Sequence, residues 1–262
     1  MTVWIDEPIW PAHGRLFAHL VSDISYDELH AVARAAQLHP RSFDGDHYDV
    51  PDARWQSVVE AGAIPTSGVD LARRLNASGL RLRKRKRDRG VRRILDVSFP
   101  NGASDVDLVA SDDPLDHLRV SAAMVFVRDR RGDFVAVHSV RRGEWGSPGG
   151  WREQDETPVE NAVRETYEET GLRLRHPDVL PCGYERFTAR TDDNVFTRDK
   201  PYLQVFRTRL EHVRPEINDG DDGIHETRWV TPGEYAELCG HLFWWPLALE
   251  VFPDLRGLAS PV

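Results

Sequence analysis

Residues 150 to 172 read GWREQDETPVENAVRETYEETGL, and the chemistry-bearing letters stand at fixed offsets: Gly150, Glu156, Arg164, Glu165, Glu168, Glu169 and Gly171, closed by an apolar Leu172. By average residue usage such a set arises by chance in fewer than about one chain in a million, so the spacing calls for a chemical explanation. The segment carries its own helix signals. Thr157 is an N-cap hydroxyl, Pro158 fills the first helical position and Glu160 the third, a capping box in which the proline's missing N–H does no harm. Gly171 supplies the stop, because glycine is free to take the left-handed conformation past the last turn. Between these signals the spacing predicts a helix of about three and a half turns.

At about 100° per residue, Val159, Ala162, Val163, Thr166 and Thr170 fall on one side of that helix. Glu165, Glu168 and Glu169 fall on the other, since offsets of three and four bring side chains together. Like charges on one short face repel. Arg164 can pair with Glu168 four residues on, but one guanidinium cannot neutralise three or four carboxylates. A hard divalent cation can, and oxygen-rich sites of this kind suit magnesium or manganese shared with substrate phosphates. The plainer reading is a solvated acidic helix. The glycines and the Pro148-Gly149-Gly150 lead-in, which lets backbone come close to the site, weigh against it.

This stretch resembles the signature of the Nudix hydrolases, enzymes that cleave nucleoside diphosphates linked to another group. The resemblance implies roles residue by residue. Glu165 and Glu169 would be direct ligands of Mg²⁺ (or Mn²⁺), and Glu168 a further or water-mediated one. Arg164 would orient a glutamate, Glu156 would support the site from the loop, and the Gly150 carbonyl would contribute. The cations would polarise a phosphoryl oxygen, lower the pKa of bound water and stabilise the leaving oxygen. Thr166 is the one departure, standing where the pattern has an apolar residue; its hydroxyl can bond back to the carbonyl of residue 162. Glu226, three residues before Trp229, matches an acidic position often seen after the last core strand in such enzymes. It would be a further metal ligand or the general base, with a surface carboxylate as the alternative.

The chain has 262 residues and a net charge of −9, with only two cysteines, Cys182 and Cys239. No disulfide framework is indicated, no run approaches eighteen apolar residues, and the N-terminus lacks a basic-then-apolar leader pattern. A soluble, cytoplasmic protein with no membrane contact is expected. Residues 81–93, RLRKRKRDRGVRR, invert the overall charge locally, with nine Lys or Arg against one Asp. Such a run can mark a nucleic-acid-binding segment. No aromatics interleave with it as base stacking would want, which favours a solvated helix end and linker salt-bridged to the acidic remainder.

The pattern along the chain predicts an α/β organisation in three parts. Residues 1–82 read as a small α/β domain: a strand at TVWI, helices at SYDELHAVARAAQL, ARWQSVVEAG and GVDLARRLNAS, and a small parallel sheet as the natural inference. DEPIWPAHGRLFAHLVSD and FDGDHYDVP resemble an uncharacterised bacterial domain family of unknown function. They hold Asp6, His13, His19, Asp23, Asp44, Asp46, His47 and Asp49. This His/Asp set could bind a metal, or its histidines could grip a phosphate. Its spacings match no metal motif, and turn-forming aspartates with a structural histidine account for them equally well. Residues 83–116 suit a basic and polar linker with one edge strand. Residues 117–262 read as mixed strands around one catalytic helix, the α/β/α sandwich with a mixed sheet that the Nudix resemblance implies.

Substrate choice in this family lies outside the signature. Sixteen residues past Gly171 stands Phe187, with neither the proline of ADP-ribose enzymes nor the tyrosine of dinucleoside-polyphosphate enzymes in place. Tyr184, Phe187, Tyr202 and Phe206 could stack on a base and Arg190 or Arg207 could meet phosphate, or these aromatics are core. The expected activity is hydrolysis of a phosphoanhydride bond in a nucleotide substrate: a nucleotide sugar, a dinucleotide or a nucleoside triphosphate. The competing reading is a nucleotide-sensing regulator or RNA-binding protein that uses residues 81–93. A third gives the N-terminal domain its own reaction on the same pathway. The resemblance also makes a homodimer an expectation.

Overall fold

The computed structural model describes residues 2–100, 102–140, 143–191, 196–219 and 225–258. They form two compact units, residues 1–93 and 94–262. The first unit contains β1 (Val3–Ile5), β2 (Trp10–Ala12), β3 (Arg15–Ser22), α1 (Tyr26–Ala35), β4 (Tyr48–Pro51), α2 (Trp55–Glu60), β5 (Ile64–Pro65) and α3 (Gly68–Ser78). Ser25 caps α1 by accepting from the Glu28 N–H at 3.3 Å, and the helix buries Leu29, Val32 and Ala33 against Val3, Ile5, Leu20 and Val50 of the sheet. The parallel pairing expected here is the β1–β5 pair. β3 runs antiparallel to β1, β2 and β4. The two-residue turn His13-Gly14, with φ of 48° and 75°, joins β2 to β3. A tight hairpin needs positive φ at both central residues, and that geometry reverses the chain.

The basic run is neither helical nor free of partners. Residues 81–88 are irregular. Arg81 lies 3.6 Å from Asp46, Lys84 pairs with Asp44 at 2.9 Å and Arg85 with Asp88 at 2.8 Å. Acidic partners expected for this run are thus supplied within the same unit.

The second unit is built on one nine-stranded mixed sheet. Its strands are β6 (Arg89–Phe99, within which the unit boundary falls), β7 (Gly102–Ala110), β8 (Val120–Arg128), β9 (Phe134–Ser139), β10 (Glu144–Gly146), β11 (Gly149–Trp151), β12 (Leu180–Ala189), β13 (Tyr202–Arg209) and β14 (His225–Val230). The order is β10-β9-β8-β13-β12-β7-β6, with β11 on β8 and β14 on β9. Only β8 and β13 among the registered pairs of this sheet run parallel. The helices are α4 (Pro158–Thr170), α5 (Pro232–Cys239) and α6 (Trp245–Val251).

Alternation along β8 makes the two outer layers. Ala123, Val125 and Val127 join Ala162 of α4, while Phe126 packs in the other direction against Trp244 and Phe252. This is the expected α/β/α sandwich. The segment read as a linker with one edge strand holds two strands, β6 and β7, and β7 pairs with β12 from Ser104 to Ala110. The polar letters that suggested a linker are inside the sheet layer. Asp107 is buried and ion-paired to Arg186 at 3.1 Å, Asp105 pairs with Arg190, and Val106 and Leu108 are fully buried. Paired charges can occupy a strand interior, and polarity alone concealed them.

Candidate active site

α4 begins and ends where its sequence signals placed it. Thr157 Oγ1 accepts from the Glu160 N–H at 3.3 Å, the Glu160 carboxylate accepts from the Thr157 N–H at 2.7 Å, and Gly171 closes the helix at φ 72°. Loss of such a cap costs about 1 kcal/mol. Thr166, fully buried, donates its hydroxyl to the Ala162 carbonyl at 2.7 Å. The back-bond satisfies the hydroxyl in an otherwise apolar seam.

The carboxylates surround Arg164. Its Nε donates to Glu156 Oε1 at 2.7 Å and its Nη2 to Glu156 Oε2 at 3.2 Å, a bidentate fork. Nη1 donates to Glu168 Oε2 at 2.7 Å and lies 2.9 Å from Glu165 Oε1, and Nη2 also reaches the Trp151 carbonyl at 3.1 Å. Glu156 in turn accepts from the Glu153 N–H at 3.0 Å, so the loop carboxylate is held in place before it meets the helix. The Arg164 hydrogen bond holds the Glu156 carboxyl below its usual range. Glu165 is pushed the other way: burial raises it, Arg164 opposes that, and neighbouring Glu168 and Glu156 add to it.

The three helix glutamates differ in exposure. The Glu168 side chain is half exposed and that of Glu165 mostly covered, while Glu169 is buried. The solvated acidic helix of the plainer reading is not what forms. β11 lies over part of it, because two glycines allow a close approach. A Cβ on Gly150 would sit 2.5 Å from the Glu165 carboxyl carbon, and one on Gly149 would sit 2.8 Å from Met124 Cα. The Gly149 N–H donates to Glu169 Oε2 at 3.0 Å. Glu169 is also tied through its backbone, whose carbonyl accepts from Thr227 Oγ1 of β14 at 2.7 Å.

Gly150, Glu156, Arg164, Glu165, Glu168 and Glu169 therefore come together around α4 and β11. Glu226 lies exposed on β14, opposite His138 of β9. The neighbour that engages α4 is Thr227, one residue on.

Beside β11 opens a cavity of about 570 Å³, lined by Gly149, Gly150 and Trp151 together with Ala122, Met124, Leu203, Glu185, Phe187 and Trp244 among others. Phe187 stacks face to face on Phe196, with centroids 3.6 Å apart, and Trp151 leans on Phe196 at 5.0 Å. Of the aromatics singled out in the sequence, only Phe187 lines this cavity. Tyr184 and Phe206 are buried, the latter in the apolar cluster beneath α4. Arg190 is engaged by Asp105, and Arg207 lies 3.3 Å from Asp112.

Glu185 is the residue that sequence reading missed. It lies on the cavity wall, 1% exposed, and burial pushes its carboxyl up to about 8. Its Oε1 has no hydrogen-bond partner among the described residues. Register explains its position: Glu185 pairs with Leu203, and Leu203 with Ala122, a row of cavity residues across three strands. The available signal was the period of two, since Glu185 shares a face with Phe187.

An acidic helix thus lies against a glycine-rich strand over one face of a mixed sheet, with an aromatic cavity alongside. The family model described as the NUDIX domain matches residues 117–253, more than half of the chain, and the chain belongs to that family as a nucleotide pyrophosphohydrolase acting on acid anhydrides. A second model, a protein of unknown function (DUF4031), matches residues 3–78. The chain is 33% identical to a MutT-like protein of Streptomyces ambofaciens, over 55% of this chain and 80% of that one. It is 34% identical to a putative 8-oxo-dGTP diphosphatase 3 of Mycobacterium tuberculosis, over 40% of this chain and 46% of that one. With an RNA pyrophosphohydrolase of Stenotrophomonas maltophilia it shares 43% identity, over 50% of this chain and 63% of that one. The chain thus spans less than two thirds of these last two relatives.

Proposed function

We propose that residues 117–262 hydrolyse a phosphoanhydride bond in a nucleoside diphosphate linked to another group, with Glu165, Glu168, Glu169 and the Gly150 carbonyl holding Mg²⁺ or Mn²⁺. The observation that carries this reading is the double role of Gly150. It lines the cavity, and it has no side chain where one would strike the Glu165 carboxylate. A ligand in the cavity is thereby separated from the carboxylates by bare backbone alone.

The donor set fits a hard cation: all oxygens, three carboxylates and one backbone carbonyl, with burial raising the Glu165 carboxyl. Among the described residues these oxygens do not yet converge on one point, because Glu165 and Glu168 are turned to Arg164. Cation binding requires those two to exchange part of their contact with Arg164, while the Glu156 fork keeps the guanidinium in place. A bound cation would supply Lewis-acid polarisation of a phosphoryl oxygen and a lowered pKa for attacking water. Arg164 orients Glu168 and Glu165, and the Gly149 N–H orients Glu169. Trp151, Phe187 and the other cavity aromatics offer apolar walls to a base, and Glu185 offers it a buried hydrogen-bonding group. Glu226, exposed on β14, is carried as a further ligand or general base, with a surface carboxylate as the alternative.

Both cysteines are free and buried, which supports a reducing, cytoplasmic setting. No helix among the described residues is long and apolar enough to cross a membrane. The substrate class is tested by a hydrolysis screen over nucleoside triphosphates, dinucleoside polyphosphates, nucleotide sugars and 5′-triphosphorylated RNA, each with Mg²⁺ and with Mn²⁺. Cleavage of one class well above the others would name the substrate. No cleavage of any class would remove the reading.

A further inference from the structure

The N-terminal unit holds a second constellation, assembled by strand register. His19 of β3 lies directly opposite Asp49 of β4, and His47 stands two residues before Asp49, on the same face by the period of two. Asp6 follows β1, and its N–H donates to the His19 carbonyl at 3.2 Å. Of the eight His and Asp residues noted in this region, the fold therefore gathers Asp6, His19, Asp46, His47 and Asp49. It leaves His13 in the hairpin turn, and it places Asp23 on Trp4 and Asp44 on Lys84.

Each histidine is oriented by its own buried carboxylate. His19 Nδ1 is 3.1 Å from Asp6 Oδ2, and His47 Nδ1 is 2.5 Å from Asp46 Oδ1. Both aspartates are 2% exposed. Asp6 is itself fixed by the Trp10 indole N–H at 3.0 Å and the His19 N–H at 2.5 Å, and Asp46 by the Leu82 N–H at 2.7 Å. A carboxylate on Nδ1 fixes the ring and directs Nε2 outward, the arrangement that supports metal-ligating histidines. Here both Nε2 atoms turn to one place. They lie 4.0 Å (His19) and 3.6 Å (His47) from Asp49 Oδ1, and the three ligand atoms are within 4.8 Å of one another. Metal bonds of about 2.0–2.2 Å in a tetrahedron put ligand atoms roughly 3.4 Å apart, so closure draws the side chains together, by up to about an ångström at the widest separation.

The surroundings indicate what the open side meets. A groove of about 440 Å³ borders His47 and Asp46 and is lined by Arg81, Arg83, Lys84, Arg85 and Lys86. The Leu82 backbone is hydrogen-bonded to Asp46, so the carboxylate that orients His47 also holds this cationic segment beside it. The side chain of His47 is mostly covered and that of Asp49 is half exposed. Three protein ligands with one open position make a site able to accept an exogenous ligand as well as a metal.

We propose that His19, His47 and Asp49 form a divalent transition-metal site, with zinc the best match to its donors, whose open position accepts a phosphate group held by Arg83 and Lys86 of the adjoining groove. This centre is independent of the α4 glutamates, and the N-terminal unit becomes a second phosphate-handling module of the chain.

The test uses the full chain stripped of metal, carrying Glu165→Gln and Glu169→Gln so that α4 does not contribute. Equilibrium dialysis with Zn²⁺ should find one ion per chain, weakened at least 100-fold by either His19→Gln or His47→Gln. Co²⁺ loaded in its place should give a visible absorption spectrum that His47→Gln abolishes. Asp49→Asn, at a half-exposed position, guards against misfolding of the histidine variants and should also weaken Zn²⁺ at least tenfold. Inorganic phosphate should bind the zinc-loaded chain at least tenfold more tightly than the Arg83→Gln, Lys86→Gln variant of it. Zinc stoichiometry and affinity unchanged in a folded His19→Gln or Asp49→Asn chain would overturn the metal site. Phosphate affinity unchanged by the Arg83 and Lys86 substitutions would overturn the groove's role.

Discussion

The Arg164 guanidinium donates from Nε to the Glu156 carboxylate at 2.7 Å, joining a loop to the middle of the acidic helix. The same group donates to Glu168 and Trp151, so it sets the positions of three other groups at once. Lysine keeps the charge and loses the fork. Arg164→Lys should lower activity about 10- to 100-fold, the usual cost of losing a group that orients metal ligands. The loss should appear in kcat and in the Mg²⁺ concentration needed for half-maximal rate, with the melting curve little changed. Wild-type kinetics in this variant would show that the fork does not position the glutamates.

Gly150→Ala introduces a Cβ 2.5 Å from the Glu165 carboxyl carbon. The carboxylate must move by about an ångström, a displacement that can cost about 100-fold in rate. Far-UV circular dichroism beside Mg²⁺-dependent hydrolysis separates this effect from unfolding. Full activity in the alanine variant would remove Gly150 from the account.

Burial holds Glu185 protonated up to about pH 8, whereas a carboxyl in the unfolded chain releases its proton near 4.5. The folded chain then binds more protons between those values, so stability contributed by this group is full below about pH 4.5, falls as pH rises, and levels off above about pH 8. Glu185→Gln cannot titrate. Its stability relative to the parent should grow by up to a few kcal/mol across that window, read from denaturant midpoints at pH 5, 6.5 and 8. Parallel curves at all three values would contradict a buried, proton-holding carboxyl.

Thr166→Val keeps the shape and removes the hydroxyl that bonds the Ala162 carbonyl. That carbonyl belongs to the helix ladder already, so the change in stability should stay within about 1 kcal/mol and catalysis should not move. A large loss of rate would place Thr166 in the machinery rather than in the seam.

Local rules carried most of the site. Thr157, Pro158, Glu160 and Gly171 predicted α4, and the four-residue spacing of Arg164 and Glu168 predicted their pairing; the Glu156 fork on the same guanidinium had no local signal. Helical periodicity could not foretell that Glu169 is buried, because its cover comes from β11, a strand placed by tertiary pairing with β8. The hairpin at His13-Gly14 and the second of the strands β6 and β7 were hidden for related reasons. One turn lacks the usual Asn-Gly letters, and Asp105 and Asp107 owe their place inside the sheet to arginines far along the chain. The same holds for His19, His47 and Asp49, whose relation is one of register across β3 and β4 and has no expression in sequence spacing.

Whether the α4 glutamates perform phosphoanhydride hydrolysis is decided by turnover of the best nucleotide from the substrate screen, with Mg²⁺, by the parent chain and by the Glu165→Gln, Glu169→Gln double variant. The double variant should keep its circular dichroism spectrum and melting curve while turnover falls by several orders of magnitude. A folded double variant that hydrolyses the nucleotide at the parent rate would contradict it.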